Sequence, residues 1–227
     1  MKSIDCFFKL FICIPILHFI SIVSLHSQDT IYLKNPSFED MPRKGGMYST
    51  FIMGWKDCGL QSFPGESPPD IHPVPEKSAW GVTMEPFDGH TYLGLVIRYN
   101  DTYESVSQEL SRPLEEGKCY LFSALLAKSK IYKSGTRRSR GELENFAHPA
   151  ILKIWGGDDF SSRGELLAET VPVDNNQWMI FDFNLSPDKN WTAITIEAFY
   201  DKATLQPYNG NIMVDNLSPI VEVECNN

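Results

Sequence analysis

The chain has 227 residues, a formal net charge of −9 and 42% hydrophobic side chains. That length is enough for one domain with a full core. The acidic balance excludes the electrostatic footprint of a nucleic-acid-binding protein.

Residues 1–27 read as a secretory signal peptide. Lys2 and Lys9 precede an apolar run from Leu10 to Val23, and Ser27 is a small residue placed for cleavage. The run is short for a membrane span of about 20 residues, and Pro15 and His18 interrupt it. No cysteine follows a small residue at its end, so no lipid anchor is expected. The mature chain, 28–227, is expected to be a single domain with no transmembrane span, secreted, periplasmic or on the cell surface. Cys6 and Cys13 fall in the leader, which leaves Cys58, Cys119 and Cys225. In an oxidising compartment three cysteines allow at most one intrachain disulfide. Cys58 with Cys119 is one option; Cys225, near the end, is the alternative staple for the tail.

From Thr30 onward no stretch sustains a helical period. Strand-like runs recur instead between turn residues. In chain order they are "TIYLKNPSFED", "HTYLGLVIR", "ESVSQEL", "CYLFSALLAKS", "AILKIWGG", "ELLAETVPV", "QWMIFDFNLSP", "AITIEAFYD" and "NIMVDNLSPI". The period inside them is two: Ile194, Ile196 and Ala198 alternate with Thr195, Glu197 and Phe199. One apolar face per strand predicts antiparallel sheets packed face to face, an all-β sandwich. Two regions break the rhythm. Residues 41–80 read as a Pro-rich insertion, and 130–150 as a long strand connection. Within the insertion, "GESPPDIHP" (65–73) combines prolines that restrict the backbone with apolar neighbours Phe63, Ile71 and Val74. That mixture predicts a rigid loop presenting Asp70 and His72, not a linker.

The order "NPSFED", "GW", "DGHTYLGL", "SQELSRPLEEGKCYLFSALLA" and "DNLSPI" resembles the galactose-binding-like jelly rolls. These include carbohydrate-binding modules and related domains of secreted Bacteroidetes proteins. The resemblance spans roughly residues 31–220 and implies a jelly-roll sandwich. It also implies a structural calcium ion (Ca2+) where the first and last strands meet. Glu39 and Asp215 match the positions that supply carboxylates, with Asn35 and Asn216 as secondary ligands. Calcium requires six to eight such oxygens.

Sugar rings stack on flat aromatic faces. Trp55 and Trp80 flank the insertion, and with Tyr92 and Tyr208 they are the candidate ligand surface, beside Asp70 and His72 as directional polar groups. Trp155 and Trp178 lie in strand patterns and are assigned to the core. The expected function is that of a non-catalytic secreted or surface binding module for an extracellular glycan or a cell-envelope component. The alternatives are a structural or adhesion protein contacting other envelope proteins, and a glycoside hydrolase or lyase. No GxSxG, HExxH or Gly-rich phosphate loop is present. Glu85, Glu197 and Asp182 are the carboxylates a hydrolase would draw on.

Overall fold

The computed structural model describes residues 29–45, 51–59, 68–73, 79–135 and 142–225. Residues 1–28, which hold the expected signal peptide, and part of the Pro-rich stretch, including residues 65–67, lie outside the described residues. In chain order the strands are β1 (Thr30–Ile31), β2 (Phe51–Ile52), β3 (Trp55–Asp57), β4 (Asp70–His72), β5 (Tyr92–Arg98), β6 (Thr102–Tyr103), β7 (Ser105–Leu114) and β8 (Cys119–Ala127). There follow β9 (Lys133–Ser134), β10 (Glu144–Asn145), β11 (His148–Pro149), β12 (Ile151–Gly157), β13 (Glu165–Glu169), β14 (Met179–Leu185), β15 (Trp191–Phe199), β16 (Gly210–Asp215) and β17 (Ile220–Val223). One sheet runs β1-β17-β8-β16-β5-β4, with β14 also on β8 and β6 on β5; the other runs β13-β12-β15-β7-β3-β2. Every pairing in these orders is antiparallel; the short β11 adds to β16 in parallel. The architecture is a β-sandwich of jelly-roll type.

The main core lies between the sheets. Leu93, Leu95, Ile97, Ile212 and Val214 from the first meet Val106, Leu152, Ile154, Ile194 and Ile196 from the second. The period-two reading of β15 places Ile194, Ile196 and Ala198 inward, and all three are buried there. The expectation of one apolar face per strand fails for β5. All seven of its residues are buried, because its other face carries a second apolar cluster: Tyr92 and Val96 with Val82, Ala127, Tyr132, Phe146 and Met213. Segments 79–86, 128–135 and 142–146 thus cover the outer face of the first sheet.

The described parts of the Pro-rich region join the sandwich. They supply edge strands to both sheets, β3 on β7 and β4 on β5, and Arg43 bridges to Ile71. The described disulfide joins Cys119 to Cys225. Cys58 is free, and Ser161 donates to its sulfur. This corrects the option of a Cys58–Cys119 bridge: Cys119 starts β8 beside the end of β17, while Cys58 follows β3 in the opposite sheet.

Candidate functional site

The aromatic and polar residues singled out from the sequence do not form one open surface. Trp55 is 4% exposed and belongs to the inter-sheet core. Its ring centroid lies 5.2 Å from that of Phe38, and its indole N–H donates to the Asn35 carbonyl at 3.0 Å. Asp70 and His72 are buried on β4. The Asp70 carboxylate accepts from the Tyr132 hydroxyl and from Gly45 N. The His72 ring packs between Tyr92, centroid distance 5.4 Å, and Tyr132, 5.8 Å. Among the described residues neither imidazole nitrogen has a hydrogen-bond partner, and burial lowers the ring's pKa below its ordinary 6.5. Asp70 and His72 therefore fasten an edge strand; they are not offered to a ligand. Trp80, half-buried, packs on the outer cluster, and Lys44 Nζ sits 5.2 Å from its ring centroid. Tyr208 lies elsewhere. Its hydroxyl donates to the Pro149 carbonyl at 2.8 Å, and it lines a groove of about 530 Å³ with Pro149, Pro172 and Pro207. The fold thus unites Asp70, His72, Trp80 and Tyr92 under a cap and leaves Trp55 and Tyr208 apart.

At the rim of that cap is an open cleft of about 630 Å³, walled by residues from three segments: 81–84, 128–131 and 175–179. Each wall is fixed by hydrogen bonds that its own sequence supplies. The buried amide of Asn211 on β16 clamps the second: Oδ1 accepts from Ser129 N at 2.8 Å, and Nδ2 donates to Ser129 O at 3.0 Å and to Phe146 O. Asn175 clamps the third, donating to the carbonyls of Leu126 and Gln177, both at 2.8 Å, and accepting Lys128 N through its own carbonyl. Trp178 joins the third wall to the first. Its indole N–H donates to Glu85 O at 2.9 Å, and its ring meets Tyr92 edge-on at 5.2 Å. Tyr92 in turn donates to Met84 O at 2.8 Å. Gly81, at φ +79°, lets the first wall touch the second; a Cβ there would lie 2.7 Å from Ile131 Cγ2. The result is a preorganised, half-apolar recess with Trp178, Met84 and Met179 beside Asn176, Gln177, Thr83 and two lysines.

The sequence reading missed this cleft and put Trp178 in the core, because the residue leads into the alternating strand "MIFDFNL". The available signal was "NNQW" at 175–178, three amides running into an aromatic at a strand start.

Of the four residues that the fold resemblance assigns to calcium, Glu39 and Asp215 hold the loop 87–91, while Asn35 and Asn216 do not reach it. Glu39 Oε1 accepts from His90 N at 2.8 Å and Thr91 N at 3.1 Å. Asp215 Oδ2 accepts from Phe87 N at 2.8 Å and Asp88 N at 3.1 Å, and its Oδ1 from Asn216 N at 2.7 Å. Asn35 holds Glu39 through main-chain bonds: Oδ1 to Glu39 N, Nδ2 to Glu39 O. The Asn216 side chain is exposed. Three of the four carboxylate oxygens thus face N–H donors, whereas a calcium ion is surrounded by oxygen lone pairs. No three His, Cys, Asp or Glu residues cluster for a metal among the described residues. As arranged, this donor set does not fit the ion; it fits a loop clamp. Burial pushes the Asp215 carboxyl up to about 6, against the pull of those backbone N–H groups.

The carboxylates considered for hydrolysis are dispersed. Glu197 is buried on β15, bonded to Arg163 and to Trp155 Nε1, while Asp182 is exposed on β14 of the other sheet.

No family model matches the sequence, and no curated protein matches it. Solved structures do. The chain is similar to a Stig cyclase from Fischerella sp. TAU, determined in complex with (3Z)-3-(1-methyl-2-pyrrolidinylidene)-3H-indole. The identity is 14%, over 88% of this chain and 100% of that one, with a TM-score of 0.51. It is also similar to the CBM22-1 xylan-binding domain from Paenibacillus barcinonensis (13%, 88% and 97%, TM-score 0.43). A third is the K3 cleaved adhesin domain of Lys-gingipain from Porphyromonas gingivalis W83 (12%, 86% and 98%, TM-score 0.46). The chain has the galactose-binding-like jelly-roll fold, and at these identities the likeness concerns the fold alone. Fold does not fix function.

Proposed function

We propose that the protein is a non-catalytic extracellular binding module that takes a glycan, or a glycan-bearing cell-envelope component, in the Trp178 cleft. The observation that carries this reading is the cleft itself: three clamped walls, one aromatic side chain held by its N–H, and amides beside it. Apolar surface with a few convergent polar groups is the usual makeup of a small-ligand site. The lining residues offer no carboxylate, imidazole or thiol for acid–base or nucleophilic work, which favours binding over catalysis. The Cys119–Cys225 bridge suits an oxidising compartment, in keeping with a secreted or surface location.

The test is a glycan array with the mature chain, followed by calorimetry on any hit. Trp178→Ala should abolish measurable binding. Asn176→Ala, an exposed residue of the same wall, should weaken binding at least threefold with an unchanged melting temperature. Failure to bind any glycan, with capture of envelope proteins that survives both substitutions, would replace this reading by the adhesion one.

A further inference from the structure

The walls of the cleft carry charge of one sign. Lys128 and Lys130 line it, and no Asp or Glu does, on a chain whose formal net charge is −9. The two lysines differ in state. Lys128 Nζ is held by Asp174 Oδ1 at 2.6 Å, with side chains 12% and 73% exposed respectively. Lys130 is exposed and has no acidic partner among the described residues. Its backbone is fixed on both sides: the Ser129 hydroxyl donates to Ile131 O at 2.7 Å, and Asn145 Nδ2 donates to Lys130 O at 3.1 Å. The fold therefore anchors an unneutralised ammonium stem at the rim of a recess that also holds Trp178.

A neutral sugar would leave that ammonium in water and gain nothing from it. A carboxylate or sulfate would form a charge-assisted hydrogen bond, roughly twice as strong as a neutral one. The chain's overall acidity would repel a polyanion at long range, but at physiological ionic strength that field decays over about 8 Å. Local charge then decides which ligand stays. We propose, resting on the glycan-binding reading, that the cleft selects an acidic saccharide and that Lys130 is the residue that reads its anionic group, with Trp178 stacking on a ring.

The experiment is calorimetry of the mature chain with three probes: an oligogalacturonate, a sulfated glycosaminoglycan oligosaccharide and a neutral gluco-oligosaccharide. At least one acidic probe should bind tenfold or more tighter than the neutral one, and which of the two does so separates carboxylate from sulfate. Lys130→Ala should weaken that acidic probe about tenfold and Lys130→Arg should restore it. Lys133→Ala, exposed and outside the cleft lining, should have no effect. Raising salt should erode the preference. Equal or tighter binding of the neutral probe, or an acidic affinity unmoved by Lys130→Ala or lowered equally by Lys133→Ala, overturns the inference. Neutral binding that still needs Trp178 overturns it while leaving the binding-module reading in place; binding of none of the probes and no array hit overturns both.

Discussion

Glu39 shows how much one carboxylate oxygen organises. Oε1 satisfies two backbone N–H groups of the loop 87–91, and Gly89 at φ +64° makes room for it, since a Cβ there would lie 2.1 Å away. Glu39→Ala should destabilise the fold by about 0.5–1.5 kcal/mol, the net worth of the hydrogen bonds lost. Glu39→Gln keeps an acceptor oxygen and should cost much less, and chelator should leave the melting temperature of the parent unchanged. Urea titrations of both variants check this. A calcium-dependent melting temperature abolished equally by Gln and Ala would reinstate the ion. His72 carries the residue-scale pH effect. Its pKa is lowered in the fold by burial, so its contribution is present above about pH 6.5 and is lost as the pH falls below that value. Asp215 has the opposite sign: its pKa is raised from 3.8 to about 6, so its contribution is present below about 3.8 and is lost as pH rises through 6. Glu104, pushed up by burial despite its bond to Arg98, shares the sign of Asp215. A scan of the parent alone mixes these trends, but His72→Phe keeps a ring of similar shape and removes only one of them. The melting temperature of the variant relative to the parent should be nearly constant above about pH 6.5 and rise as the pH falls from there to 5.5. A flat difference would show that the imidazole does not feel its burial.

At the scale of elements, β4 and its neighbour explain where the sequence could and could not be read. β15 was legible because Ile194, Ile196 and Ala198 alternate with the polar Thr195 and Glu197, which names the face turned to the core. β4 was not: three residues after two prolines carry no period, and the strand exists because β5 offers it an edge, with Asp70 opposite Gly94 and His72 opposite Tyr92. Trp55 was misread for the same reason. Its strand is three residues long, and its partner, the Asn35 carbonyl, lies 20 positions away. The cleft was missed because its walls come from three separate segments, 81–84, 128–131 and 175–179, with no motif spanning them; "NNQW" marks only one of the three. Gly94 tests this account of β4. A Cβ at 94 would lie 2.8 Å from His72 Cδ2 and Nε2 and 3.4 Å from Met213 Sδ, all within a packed cluster that cannot give way freely. Gly94→Ala should cost about 1–3 kcal/mol by overpacking and should expose 68–73 to limited proteolysis. A variant as stable and as protease-resistant as the parent would show that β4 rides loosely on its neighbour.

At the scale of the whole molecule, both ends of the described chain depend on one small patch of the first sheet. β1 is two residues long and, among the described residues, pairs only with β17, through Thr30 to Val221 and Ile31 to Ile220. β17 in turn pairs with the start of β8, Val221 to Leu121 and Val223 to Cys119. The Cys119–Cys225 bridge spans 106 positions and sits at that junction, so it restrains a long loop of the unfolded chain and locks the strand that holds β1. Such a link contributes about 2–5 kcal/mol. Cys58 has no equivalent role. Burial pushes its thiol up to about 11, so almost no thiolate exists at neutral pH to attack the bridge. Cys225→Ser, or reductant on the parent, should lower the melting temperature by several degrees, and hydrogen exchange should speed up first in 29–31 and 219–223. Cys58→Ser should match the parent under oxidising conditions and lose the same amount with reductant. A stable Cys225→Ser variant, or protection at 219–223 unchanged by reduction, would show that the strand pairing alone closes the sandwich.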